Sequence, residues 1–500
     1  MSQTISSAIQ WWAVNTPDNT ALVMTGERLS YLGLHDWANR VAVDLIDQGV
    51  RPGDRVGVCA ANSLAFCAVV LGTMRAAGLV VPISPRSTPF EAGEILAETK
   101  PAVVYADDLN LAKFADQGVR TVDLAEASRL RQGERVSPSV DLDPEAPVAI
   151  MMTSGSTARP KGVVFSNRSM TAAAAEFVLQ VPNCFGPGVR TVTFPPLSTT
   201  AGLWQLVTYS VMGCTLYIES GFDVQRCLKL VIEQGINVMA GAPIFFERMA
   251  ACPGFEAADL SCLRLATCGG APVSRALLDR WRPKGVVLRP MYGQTECGGF
   301  ATLISEKDAI ESPEKCGRGG IFSDIRVMGD DGQPAAPGEP GEILLRGPGT
   351  MLGYWNNPEA TAQVLRDGWL HTGDIGTLDE QGLLTFVDRK KDILISGGLN
   401  ISAAEVERAV LDFAGIEDAG VIAAPDPKFG ETPMVIFFSS RSIRIDELVA
   451  HCNARLADYK VPRYMVQSPQ PLPRLASGKL SKMELRKQYA HAHETLARVR

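Results

Sequence analysis

The sequence predicts an α/β protein. A large N-terminal domain of parallel sheets covered by helices carries a small β-rich region, and a small α+β C-terminal domain follows. Three observations point there. The chain has 500 residues, too many for one hydrophobic core. Apolar runs of strand length alternate with helical patterns through its first two-thirds. From about Ile325 the texture changes to short strands separated by Gly, Asp and Pro turns.

In chain order, Arg55–Ala60 reads as a buried strand, Leu64–Ala77 as a helix, and Leu79–Ser84 as the next strand. Ala102–Ala106 is followed by a short helix over Leu109–Gly118 and a strand near Arg120–Leu124. Later, Gly235–Pro243 leads into a helix from Ile244, and Leu263–Pro272 into a helix over Ser274–Trp281. Such alternation implies parallel strands buried on both faces. Ile325–Met328, Gly341–Gly347 and Leu383–Gly398 make the β-rich region. Beyond it come a helix at Ser402–Asp412, strands near Ala419 and Met434, and a helix at Ile445–Ala457. The charged turn Arg389–Asp392 sets the expected boundary, giving domains 1–390 and 391–500.

Composition excludes several classes. Net charge is −7 and no dense Lys/Arg block exists, which argues against a nucleic-acid or anionic-membrane surface. The eleven cysteines are scattered singly with no C-x-x-C pair, as expected of buried thiols in a reducing cytoplasm. Five histidines leave little material for a metal cage or a histidine triad. The N-terminus lacks the pattern of a secretory signal. The uncharged stretches Val56–Met74 and Thr191–Ile218 are broken by Asn62-Ser63 and Pro195-Pro196, so no integral membrane association is expected.

Chemistry concentrates first in Thr153–Val163, TSGSTARPKGV, which follows the strand-like run Pro147–Met152. Hydroxyls and a glycine at Thr153, Ser154, Gly155, Ser156 and Thr157 form a loop able to surround phosphate oxygens, with Lys161 adding positive charge. It is not a Walker A loop, since Pro160 precedes the lysine and Gly162 follows it. An ordinary polar surface loop would have the same composition. Five further motifs follow: Gly269-Gly270-Ala271-Pro272, Tyr292–Glu296 (YGQTE), Trp369–Asp374 (WLHTGD), Asp388–Asp392 (DRKKD) and Pro473–Lys479 (PRLASGK). Singly, each could be a turn, a cap or a solvated charge run.

Together and in this order the six motifs resemble the adenylate-forming superfamily, in its AMP-binding acyl-CoA synthetase branch. The resemblance runs from about residue 10 to 490. It implies ATP, Mg²⁺ and CoA as co-substrates or cofactors and assigns roles residue by residue. The phosphate loop, Gly269–Pro272, Tyr292, Gly293, Asp374 and Arg389 would bind the nucleotide, with Tyr292 against adenine and Asp374 on the ribose diol. Thr295 would meet the α-phosphate, Glu296 would hold the metal, and Lys479 would be the catalytic lysine. Lys391 matches the hinge about which a mobile C-terminal domain swings, and Gly397-Gly398 the pantetheine tunnel. A β-bulge is an equally good use of those two glycines. His371 reads as structural.

The acyl pocket implied by the resemblance includes Thr199, Trp204, Ala240, Phe245 and Gly298, in segments that also carry Phe246 and Phe300. These segments are apolar, so an apolar aliphatic or aryl acid is expected rather than a dicarboxylate or zwitterion. Some of these aromatics are equally suited to plain core. Two departures stand out. Thr199 occupies the place of a histidine found in many acyl-CoA synthetases, which puts that residue's gating role in doubt. No acidic residue lies between Thr191 and Ile218 to pair with a substrate ammonium. Only about twenty residues follow Lys479, so free CoA is the expected acceptor rather than a fused carrier domain. Transfer to a separate carrier, an oxidative second step, and non-catalytic binding are the alternatives. Small molecules are the expected partners, with a homodimer as the allowed assembly.

Overall fold

Short apolar runs rich in β-branched residues, such as Leu79–Pro82 and Val103–Ala106, are buried on both faces, and they become central strands of one sheet. The computed structural model describes residues 3–153, 161–271, 273–396, 399–427, 429–456, 458–474 and 479–499. It divides into two compact units: Met1–Ile325 with Leu345–His371, and Arg326–Leu344 with Thr372–Arg500.

The first unit holds two seven-stranded sheets. One runs Leu288–Met291, Leu265–Gly269, Val238–Gly241, Arg190–Thr193, Thr215–Ile218, Thr20–Met24 and Glu27–Ser30. All its pairings are parallel except the last. The other runs Gly353–Tyr354, Lys161–Ser166, Pro147–Thr153, Leu79–Pro82, Arg55–Cys59, Val103–Ala106 and Thr121–Asp123. Its first two pairings are antiparallel. Predicted strands and helices recur close to their expected places, with one correction. The helix expected over Leu109–Gly118 is only a 3-10 turn, Leu111–Phe114. Asn110 gives its side chain to Asp107 Oδ1 instead of capping, and so short a segment cannot offset the cost of helix nucleation.

Asn62 staples the two sheets. It follows the strand Arg55–Cys59 and is buried. Its Nδ2 donates to the carbonyls of Pro195 (3.2 Å) and Glu219 (2.9 Å), while Oδ1 accepts the Leu197 N–H at 2.7 Å. All three partners lie just beyond strands of the other sheet.

The second unit contains a sheet ordered Leu399–Ser402, Ile393–Ser396, Gly430–Phe438 and Asp418–Asp426, with Tyr464–Ser468 parallel to Gly430–Phe438. The helices Ala403–Leu411 and Ile445–Asn453 bury Val406, Val410, Leu448 and Cys452 in its core. The sequence boundary at 390/391 falls inside this unit. Buried Asp388 accepts hydrogen bonds from Ser402 Oγ (2.9 Å) and the Ala404 N–H (3.0 Å), which joins the strand Leu384–Arg389 to the helix after it. All eleven cysteines are free, and all but Cys184 and Cys262 are buried. Among the described residues no helix is long and apolar enough to cross a membrane.

Replacing Asn62 with Ala would leave two carbonyls and one N–H buried without partners. We expect a loss of about 2–4 kcal/mol in denaturant unfolding. A change below ~1 kcal/mol would show that the staple is dispensable.

Candidate functional site

Parallel strands leave a sheet by the same edge, and ligands of open α/β sheets bind beyond the carboxyl ends. Here the register places Gly241 beside Cys268 and Gly269 beside Met291. Gly269-Gly270-Ala271 and Tyr292-Gly293 therefore emerge side by side at one carboxyl edge. Pro272 lies outside the described residues. The edge is crowded. A Cβ on Gly269 would lie 2.7 Å from the Met291 carbonyl oxygen, and one on Gly293 would lie 2.5 Å from Phe300 Cα. Gly270 has φ +83°, which glycine adopts without strain. Tyr292 is buried, only 7% exposed, so its ring offers a base at most a small uncovered part.

The phosphate-loop segment is the connection of a β-hairpin. Pro147–Thr153 pairs antiparallel with Lys161–Ser166, and Thr153 stands opposite Lys161. Thr153 Oγ1 donates to the Lys161 carbonyl at 3.2 Å. Ser154, Gly155, Ser156 and Thr157 lie outside the described residues. The strand from Lys161 was not read from the sequence, where the loop masks its start.

Lys161 is drawn to a residue that sequence reasoning missed. Its Nζ lies 4.9 Å from the ring centroid of Tyr354, within cation–π range. The Tyr354 hydroxyl donates to Glu296 Oε1 at 2.9 Å. Burial, reinforced by the Glu296 charge, pushes the Tyr354 pKa well up, so the phenol remains a donor. Tyr354 reaches this place because Gly353–Tyr354 pairs with Val164 and Val163. Its only trace in the sequence is a Gly-Tyr-Trp run after Gly347-Pro348-Gly349. Thr295 and Glu296 begin a 3-10 turn, Thr295–Cys297, and Thr295 Oγ1 lies 3.1 Å from Thr200 Oγ1.

Thr200 opens the helix Thr200–Val211, and Thr199 is its N-cap. The Thr199 hydroxyl donates to the Pro196 carbonyl (2.7 Å) and accepts the Gly202 N–H (3.2 Å). Capping thus occupies the side chain that stands in the histidine's place. Trp204 and Gly298 do come together: a Cβ on Gly298 would lie 2.9 Å from Trp204 Cζ2. Trp204 also meets Phe165 edge-on at 5.5 Å. Ala240 is linked to the same helix, its carbonyl accepting Gln205 Nε2 at 3.3 Å. Phe245 packs instead with Phe222, at 4.7 Å between centroids. Phe246 is core, stacked edge-on against Trp281, and Phe300 meets Phe177 at 4.7 Å. Among the described residues, Trp204 Nε1 and Gln205 Oε1 are buried without hydrogen-bond partners.

In the second unit the hairpin puts Asp374 opposite Arg389. Buried Asp374 has Oδ1 3.6 Å from Arg389 Nε, and its N–H donates to Thr372 Oγ1 at 3.0 Å. Two residues separated in sequence and both expected to bind the nucleotide are therefore neighbours. Lys391 lies in the 3-10 turn Lys390–Asp392, where Lys390 Nζ is 3.6 Å from Glu342 Oε2. Gly397 and Gly398 lie outside the described residues. Lys479 is described and half-buried, directly before Leu480, which bridges Arg474. His371 bonds Arg366 Nη2 through Nδ1 at 2.8 Å within the first unit.

Comparison with known proteins gives the same order of parts. The family described as AMP-binding enzyme matches residues 9–355, and the AMP-binding enzyme C-terminal domain matches residues 405–479. A feruloyl-CoA synthase of Amycolatopsis sp is 34% identical over 477 residues, 95% of this chain and 96% of that protein. The long-chain-fatty-acid–CoA ligase FadD13 of Mycobacterium tuberculosis is 32% identical over 477 residues, 93% of this chain and 94% of that one. The o-succinylbenzoate CoA synthetase MenE from Bacillus subtilis, solved with ATP and a magnesium ion, is similar with a TM-score of 0.88 at 27% identity. That likeness covers 96% of this chain and 99% of that one.

A test of the crowded geometry lies at Gly202, where a Cβ would sit 2.2 Å from the Pro196 carbonyl oxygen. Backbone cannot yield cheaply there. Gly202→Ala should cost about 1–3 kcal/mol in denaturant unfolding, and a neutral result would contradict the placement of the 196–202 turn.

Proposed function

This chain belongs to the AMP-binding enzyme family, and from that premise we propose how its residues carry out an AMP-forming acid–CoA ligation. The enzyme is an acyl-CoA synthetase that uses ATP, Mg²⁺ and CoA. In the first half-reaction a substrate carboxylate oxygen attacks the α-phosphorus of ATP. An O–P bond forms, and the bond to pyrophosphate breaks. In the second, the CoA thiol attacks the acyl carbonyl, its proton is lost, and AMP leaves with the electrons of the C–O bond.

The observation that carries the residue assignments is the chain Lys161–Tyr354–Glu296, with Thr295 adjacent, at the carboxyl edge of a parallel sheet. Lys161 supplies positive charge toward the polyphosphate, and Thr295 donates to an α-phosphate oxygen. Asp374, oriented by Arg389, accepts the ribose hydroxyls. The donor set suits Mg²⁺. Glu296 is one hard carboxylate, and Tyr354 takes only its Oε1. Among the described residues no group of three or more His, Cys, Asp or Glu forms a cage; phosphate oxygens and water would complete the ion's ligands. Bound there, Mg²⁺ would neutralise phosphate charge. Lys479 brings a cation to the charge that develops during adenylation, and Lys391 is the turn about which its domain changes orientation. Catalysis of this kind rests on positioning and charge, so the few histidines are no obstacle.

The acid is apolar, aliphatic or aryl. We propose a cytoplasmic setting, with a homodimer as the allowed assembly, which light scattering would test.

ATP–pyrophosphate exchange over a panel of plain and oxygenated acids, followed by CoA-dependent AMP release, tests the reading. Exchange without thioester would shift the second step to another acceptor. Lys479→Ala should abolish exchange yet spare thioester formation from preformed acyl-adenylate. Tyr354→Phe should raise the Mg²⁺ concentration needed for half-maximal exchange and lower its rate by about 10-fold, since Glu296 loses its fixed orientation. An unchanged Mg²⁺ dependence would remove Tyr354 from the site.

A further inference from the structure

Both flanks of the Lys479 segment are held by charge. Residues 475–478 lie outside the described residues, but the neck around them is defined. Arg474 and Leu480 form an antiparallel bridge, and the Ser481 N–H donates to the Pro473 carbonyl at 2.8 Å. Upstream, Arg474 Nη2 donates to Asp418 Oδ2 at 2.5 Å. Downstream, Lys482 Nζ lies 3.0 Å from Glu407 Oε1, which also accepts the Val421 N–H at 2.8 Å. One turn on, Arg486 Nη2 donates to Asp392 Oδ1 at 2.6 Å, reaching the turn that holds Lys391.

These are not ordinary surface pairs. The carboxylates are mostly buried, with side-chain exposures of 16% for Asp418, 13% for Glu407 and 9% for Asp392. Exposed pairs contribute little, and buried ones repay desolvation only while their geometry is kept. Apolar packing already attaches this segment to its sheet. Leu480 and Leu485 converge where Gly420 lacks a Cβ, with their methyls 2.8 and 2.5 Å from where one would sit. Hydrophobic contacts tolerate sliding, whereas two cations one helical turn apart, each on its own carboxylate, specify a single axial register. Since Leu480 adjoins Lys479, that register is the register of Lys479.

We infer that Glu407 and Asp418 are positioning residues for Lys479: through Lys482 and Arg474 they hold the two ends of its neck in the register that adenylation requires. This rests on the reading of Lys479 as the adenylation lysine. Burial pushes the Glu407 carboxyl up to about 7 against the opposing pull of Lys482. Among the described residues Asp388, from the strand Leu384–Arg389, also faces Glu407 and raises its pKa further. Below about pH 7 the carboxyl therefore takes up a proton and the downstream pair loses its charge.

Glu407→Gln, Asp418→Asn and Lys479→Ala in the full chain, assayed in each half-reaction, test the inference. Glu407→Gln and Asp418→Asn should lower kcat of ATP–pyrophosphate exchange by about 10-fold or more, with KM for ATP and thioester formation from preformed acyl-adenylate changed less than ~2-fold. Glu407→Asp should recover part of the loss. The wild-type exchange rate should fall as pH drops through about 7 more steeply than that of Glu407→Gln. Where Glu407→Gln does not fold, Arg474→Gln breaks the upstream end and should give the same split. Equal losses in both half-reactions would reduce the pairs to fold stability and overturn the inference. So would unchanged exchange in both variants while Lys479→Ala is crippled. Intact exchange in Lys479→Ala would instead overturn the reading of Lys479 itself, and the inference with it.

Discussion

The parallel ladder of Val238–Gly241, Leu265–Gly269 and Leu288–Met291 is the constraint on which the first unit's site depends. Its hydrogen bonds force segments some fifty residues apart to leave the sheet at one edge and in fixed register. Crowding follows from that convergence. Gly269 and Gly293 are glycines because neighbouring backbone occupies the space a side chain would need. The antiparallel hairpin Pro147–Ser166 brings Lys161 in from the other sheet, and Asn62 keeps the two sheets in step.

Each unit orients its acidic group with a different partner. Asp374 in the second unit faces the cation Arg389 across a hairpin, whereas Glu296 in the first is held by the neutral phenol Tyr354. A guanidinium cancels much of a carboxylate's charge, while a phenol directs it and leaves the charge in place. The first suits a hydrogen-bonding role toward a neutral diol, the second a role toward a cation.

Much of this was legible in the chain. Strands and helices with strong periodicity, such as Arg55–Cys59 and Leu64–Arg75, stand close to where the pattern puts them, because burial alone decides them. The motif residues Gly269, Tyr292, Glu296 and Asp374 were visible as types, but their partners were not. Tyr354 enters through two residues of strand pairing, too short to leave a periodic signal. The Thr199 cap and the Thr200–Thr295 contact are likewise tertiary facts, invisible in a run that reads only as polar. The Leu109–Gly118 helix failed for the converse reason: its pattern was present, but Asn110 found a closer partner in Asp107. The 390/391 boundary rests on a charge run, and the hydrogen bonds that Asp388 accepts from Ser402 and Ala404 across it leave no trace in such a run.

The single engaged carboxylate at Glu296 has a consequence for the traffic of metal. In the proposed role of Glu296, a carboxylate already shared with a phenol would be a docking point rather than a store for the ion. Most of the ion's ligands would then come from the nucleotide and from water. If Glu296 holds the ion as proposed, the ion would arrive with the nucleotide, and once pyrophosphate forms it would have as much reason to leave with that product as to remain. On that proposed role, magnesium supply would be coupled to nucleotide turnover and not to the folding of the chain.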